Sequence, residues 1–112
     1  MGSPTVGDPG NFAEPSGYVW GAGHAAELAY LWPSFDNGTP IAPGLDAAER
    51  RLARDMKDYW AAFAVCSTPS GPGLTRWPAY DGRVLSLRAG GHSAVITDGD
   101  YVTEHQCDFW IA

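Results

Sequence analysis

The chain has 112 residues, 45% of them hydrophobic and five of them Trp, which is one domain's worth of chain with a modest core and excludes global disorder. Thirteen Asp and Glu against seven Lys and Arg give a net charge of -6, which disfavours nucleic-acid phosphates and anionic membrane surfaces as partners. No apolar run approaches the ~20 residues of a membrane span, and no charged and apolar regions of a signal peptide open the sequence.

Residues 1–17 carry three Pro and four Gly with no periodicity, so they read as a flexible lead-in to one unit over residues 18–112. Gly21-Ala22-Gly23-His24 then places a histidine directly before a helix-prone run over residues 25–31. An imidazole at a loop-helix junction can serve as a proton carrier or as a structural group, and a general base still needs a nucleophile to serve. Trp32-Pro33 stops the helix, because the residue before a proline is pushed out of helical geometry. A loop rich in Gly, Pro, Asn and Asp follows over residues 35–44.

Asp46 is the expected N-cap of the main helix, with Glu49 closing an Asp form of the capping box. Leu52, Met56, Tyr59, Trp60 and Phe63 fall on one face at helical spacing, while Arg50, Arg51, Arg54, Lys57 and Asp58 occupy much of the solvated remainder. Two Pro and two Gly over residues 67–73 end that helix. Trp77 and Tyr80 are expected as core anchors, since large aromatics dominate core burial. The alternation in residues 83–87 and 93–97, joined through Ala89-Gly90-Gly91, predicts a small hairpin. Thr103 and Gln106 offer a second capping box, predicting a last helix over residues 104–111 that buries Trp110 and either Cys107 or Phe109.

Four blocks in order carry a resemblance. They are Gly21-Ala22-Gly23-His24-Ala25-Ala26-Glu27-Leu28-Ala29-Tyr30-Leu31, Tyr59-Trp60-Ala61-Ala62-Phe63-Ala64, Trp77-Pro78-Ala79-Tyr80 and Cys107-Asp108-Phe109-Trp110. Together the chain resembles the C-terminal end of the type B carboxylesterases, the α/β-hydrolase family of para-nitrobenzyl esterase, carboxylesterases and cholinesterases. The first block follows that family's Gly-x-x-His-Gly/Ala-x-Glu pattern, whereas Cys66-Ser67-Thr68-Pro69 departs from its usual Thr-Gly-Asp/Asn-Pro.

The resemblance implies an α+β segment, helices plus a small β-hairpin, that forms the C-terminal part of an α/β-hydrolase fold. It makes His24 the general base of a Ser-His-Glu/Asp triad acting on a small carboxylic ester, with no cofactor and no metal. Glu27 matches the family's glutamate but is not the triad acid. The serine, the oxyanion-hole glycines and the triad acid are expected in a missing N-terminal part, so the chain alone is expected to be inactive. Apolar faces that rest on that part in the family leave the separated chain prone to self-association. In many members the cysteine matching Cys107 bonds to one upstream of the histidine segment. None stands there in this chain, so Cys107 is expected as a free thiol, with a Cys66 to Cys107 bridge as the competing arrangement.

Three other readings compete. Gly91-His92-Ser93-Ala94-Val95 begins like the nucleophile elbow Gly-x-Ser-x-Gly, but Val95 stands where the sharp turn needs Gly, and a strand rather than a helix is expected next. His24, His92, His105, Cys66 and Cys107 could ligate a metal, yet no pair has the spacing of a small zinc module. A free-standing, non-catalytic interaction module is the alternative function.

Overall fold

The computed structural model of the protein describes Ala25, residues 27–35 and residues 40–111. The expected lead-in over residues 1–17 and the histidine itself, His24, lie outside the described residues. In chain order the elements are α1 (Leu28–Leu31), a 3-10 turn (Ala42–Gly44), α2 (Ala47–Cys66), β1 (Arg83–Ser86), a second 3-10 turn (Ala89–Gly91), β2 (Ala94–Thr97), α3 (Asp98–Glu104) and α4 (Cys107–Ile111). Helices plus one antiparallel pair make the segment α+β, as expected.

The organising element is α2, 20 residues and so roughly 30 Å long. Its capping box forms as the sequence predicts: Glu49 donates its backbone N–H to Asp46 Oδ1 (2.8 Å), and Asp46 donates its own to Glu49 Oε2 (2.7 Å). At the other end Ser67 takes left-handed geometry (φ 56°) and its N–H reaches the Phe63 carbonyl at 2.8 Å, closing the helix two residues before Pro69.

Leu52, Met56 and Tyr59 are fully buried, each contributing about 1.5–3 kcal/mol through apolar burial. Trp60 and Phe63, expected on the same buried face, are 46% and 59% exposed. The main cluster covers the first half of α2, where α1 and the second 3-10 turn pack and Tyr30, Leu45, Leu52, Ala53, Met56 and Ala89 come together; Tyr59, further along, is buried outside that cluster.

The single turn of α1 is shorter than the predicted helix because Ala25 adopts left-handed geometry (φ 64°). It ends at Trp32, whose extended backbone (φ -121°, ψ 98°) is what the following Pro33 requires.

In the hairpin, Arg83 pairs with Thr97, Val84 with Ile96, Leu85 with Val95 and Ser86 with Ala94. Its connection is not a tight turn. Residues 87–93 fold down so that Ala89 enters the core against α2, with Gly90 (φ 71°) and Gly91 (φ 80°) supplying the left-handed steps. A Cβ on Gly91 would lie 2.7 Å from Arg51 Cζ, the far end of a flexible side chain that can move aside, so it is the left-handed φ of 80° that calls for glycine there.

The C-terminal expectation needs correction. The capping box sits at Thr97 and Asp100 rather than at Thr103 and Gln106, opening a helix, α3, that the sequence pattern did not predict, and Gln106 turns left-handed (φ 52°), so that the predicted helix over residues 104–111 is shortened to α4. Neither short helix has a buried residue, and Phe109 and Trp110 are 73% and 77% exposed. Nothing among the described residues lies over α4 to bury them. Tyr80 is likewise no core anchor: it is exposed, and its hydroxyl donates to Asp98 Oδ2 at 2.6 Å.

Candidate functional site

The residues that follow His24 are held by a short ladder. Leu28 N–H donates to the Ala25 carbonyl (3.2 Å), Tyr30 N–H to that of Glu27 (3.0 Å) and Trp32 N–H to that of Leu28 (2.8 Å). Ala25 occupies the Gly/Ala position of the histidine pattern. Its left-handed φ (64°) suits the glycine of that pattern, and alanine adopts it at a cost of roughly 1–2 kcal/mol. Glu27 stands half-buried at the N-cap of α1 and makes no side-chain cap bond.

One turn of helix does not persist by itself. Its hold comes from Ala29 and Tyr30, both buried against α2, with the Tyr30 hydroxyl 3.5 Å from Glu49 Oε1. Glu49 is the buried charged residue among those described. The sequence marks it only as a capping residue. The further signal was Tyr30, the polar-tipped aromatic on a helix whose neighbours are apolar.

Ser93 is built into the connector. Its Oγ accepts from Arg88 N–H (3.0 Å) and donates to the Arg88 carbonyl (3.3 Å), clamping both ends of the loop, and β2 begins at the next residue. The hydroxyl is thus occupied and lacks the strand-turn-helix setting of an elbow. Tyr59 donates to the Thr75 carbonyl and Thr75 Oγ1 to that of Ser93 (3.3 Å), so one chain of bonds runs from α2 to this loop. Burial first, then the Asp55 carboxylate, pushes the Tyr59 pKa up and keeps the phenol protonated as a donor.

The other chemistry-bearing residues are dispersed. Cys66 is exposed and Cys107 half-buried, and both are free thiols. The exposed His105 ring lies 4.3 Å from that of Tyr101. No three His, Cys, Asp or Glu gather as ligands among the described residues.

Among the described residues, two recesses stand out instead. An aromatic one of about 320 Å³ is lined by Tyr59, Trp60, Phe63, Pro69 and Trp77. The half-buried Trp77 stands edge-to-face on Tyr59 (5.2 Å, 83°) and Trp60 (6.0 Å, 64°). The sequence offered these aromatics as core, and the signal for a recess was the length of α2 beyond any element able to cover it. The second, about 590 Å³, lies between the hairpin and α3, where Val84 and Ile96 meet Tyr80, Asp98, Tyr101 and His105.

No family model matches the chain. Curated proteins do. Human cocaine esterase is 35% identical over 89 residues, 80% of this chain and 15% of that protein. Carboxylesterase 5A of Canis lupus familiaris is 32% identical over 91 residues, 80% of this chain and 15% of its own length. Liver carboxylesterase 1 of Mus musculus is 31% identical over 88 residues, 78% of this chain and 14% of its own. The chain therefore spans about a seventh of the length of the relatives it matches. With the same likeness recurring in several carboxylesterases along four-fifths of its residues, the chain is a segment of the carboxylesterase family.

Proposed function

We propose that the chain is the histidine-bearing, C-terminal part of a carboxylic ester hydrolase, with His24 as the general base of a Ser-His-Glu/Asp triad. The observation that carries this reading is the run Gly21-x-x-His24-Ala25-x-Glu27, entering a helix pinned to the core, in a chain whose relatives are named carboxylesterases and cocaine esterase. In that role the imidazole takes the serine proton as the ester is attacked, returns it to the leaving alcohol and then activates the water of deacylation. Such general-base assistance is worth about 10²- to 10⁴-fold in rate.

The serine, the oxyanion donors and the triad acid belong, on this reading, to the rest of the esterase. The exposed aromatics Trp60 and Phe63 on α2, and Phe109 and Trp110 on α4, suit a chain that packs on that remainder, and exposed apolar groups of this kind promote self-association when left uncovered.

The test is reconstitution. The 112-residue chain alone should hydrolyse para-nitrophenyl acetate no faster than an equal concentration of free imidazole. Co-expressed with the nucleophile-bearing part of a carboxylesterase, it should give saturable, organophosphate-sensitive turnover that His24→Ala lowers by at least about 10²-fold, and by more where the triad acts as a unit. Saturable turnover by the chain alone, or a His24→Ala variant as active as its parent, would overturn the reading.

A further inference from the structure

We propose that Glu49 is a positioning residue for the histidine segment, acting through Tyr30; the inference rests on the proposed role of His24 and adds the side chains that fix the segment's attachment. Two capping boxes in the chain make the argument. In the one at Thr97 and Asp100, the acidic side chain accepts Thr97 N–H at 3.0 Å while remaining exposed. Capping a helix therefore needs no burial here. Glu49 does the same service for α2 with Oε2 alone, yet it is only 8% exposed, and its second oxygen faces the Tyr30 hydroxyl.

A carboxylate withdrawn from water is destabilising unless its oxygens find donors. The donor that faces the second oxygen of Glu49 is the Tyr30 hydroxyl, 3.5 Å away at the long end of hydrogen bonding, on a side chain itself 2% exposed. Tyr30 sits on the single turn of α1, and that turn begins where Leu28 N–H meets the carbonyl of Ala25, the residue covalently joined to His24. The tie therefore runs from the N-cap of the longest helix, through a buried carboxylate and a phenol, into the one turn of helix beside the histidine. Apolar packing of the Tyr30 ring sets the depth of α1; the hydroxyl and Glu49 set its rotation and register.

Two variants separate this from packing alone. Tyr30→Phe keeps the ring and removes the hydroxyl, while Glu49→Gln keeps the shape and an acceptor for Asp46 N–H. In hydrogen exchange on the 112-residue chain, the amides of Leu28, Tyr30 and Trp32 should exchange about tenfold faster in Tyr30→Phe, the order expected when a buried acceptor loses its donor, with α2 unchanged. Glu49→Gln should stay within about twofold of the parent.

In the reconstituted esterase, Tyr30→Phe should lower kcat about tenfold per organophosphate-titrated site with KM unchanged, and Glu49→Gln should retain it. Unaltered α1 amides and kcat in Tyr30→Phe would overturn the proposal, as would a rise in exchange spread evenly along α2. Because the exchange measurement needs no activity, it judges the tie even if His24→Ala shows the esterase reading to be wrong.

Discussion

The two ends of α2 live in different surroundings. Over its first half, α1, the Ala89 connector and Leu45 close around Leu52, Ala53 and Met56, so that this end is complete within the chain. Over its second half Tyr59 is the one buried residue of the helix, Trp60 and Phe63 are largely exposed beside Trp77, and α3 and α4 contribute no buried residue. The same helix is therefore a core strut at one end and a surface at the other. Apolar spacing along a helix reports that a face is meant to be covered; it does not report whether the covering element is in the same chain.

The comparison is broken most directly by truncating one side chain at each end. Leu52→Ala should cost about 2–5 kcal/mol in urea unfolding, as removal of a fully buried leucine does. Trp110→Ala, although it removes a much larger side chain, should change stability by less than about 0.5 kcal/mol in the separated chain. Comparable losses at the two positions would mean that α4 is docked in solution and that the ends are not different in kind.

A smaller effect sharpens the contrast between the two capping boxes. Asp46→Ala should cost about 1 kcal/mol of global stability, because α2 is part of the core and its cap is coupled to everything packed on it. Thr97→Ala removes the same kind of cap from α3, which buries nothing. There the loss should appear only as fraying of the Asp98–Glu104 amides in NMR, with the urea midpoint unmoved.

The smallest effect is a pH dependence confined to the exposed end. The Thr97 backbone N–H, and after it the Thr97 hydroxyl, hold the Asp100 carboxyl below the ordinary carboxylate range. A folded-state pKa lowered in this way gives a contribution that is present above the unfolded value and lost as pH falls through the folded one. Lowering pH from about 5 to about 2 should therefore weaken amide protection in α3 before the amides of α2 respond. Fraying of α3 on raising pH instead would refute the sign.

Much of the core end was legible in the sequence. The Asp46 and Glu49 pair announced the start of α2, Leu52, Met56 and Tyr59 gave its buried face, Pro33 stopped α1 and the alternation at residues 83–87 and 93–97 gave the hairpin. The exposed end was less so. Thr97 and Asp100 compete with Thr103 and Gln106 as helix starts, and the competition is decided by Asp98 N–H docking on the Gly82 carbonyl (2.9 Å) as β2 ends, a contact between residues 16 positions apart. The core role of Ala89 was hidden for a similar reason: a small apolar residue between glycines reads as a turn until α2 is beneath it. The four motif blocks identified the family, whereas the tie between Tyr30 and Glu49 depends on two side chains 19 residues apart meeting in space.

The connector over residues 87–93 also determines where this chain can be altered by insertion. Hairpin connections are ordinarily the places that accept a tag, a fused domain or new chain ends, because they run over the surface and contribute little. This one carries Ala89 into the core, is clamped at both ends by Ser93 and presses Gly91 against Arg51. An insertion there would lift a core residue and part the two strands at once. The stretch over residues 67–73, mostly exposed and already rich in Pro and Gly, is the place to lengthen or split the chain while leaving the surroundings of α1 intact.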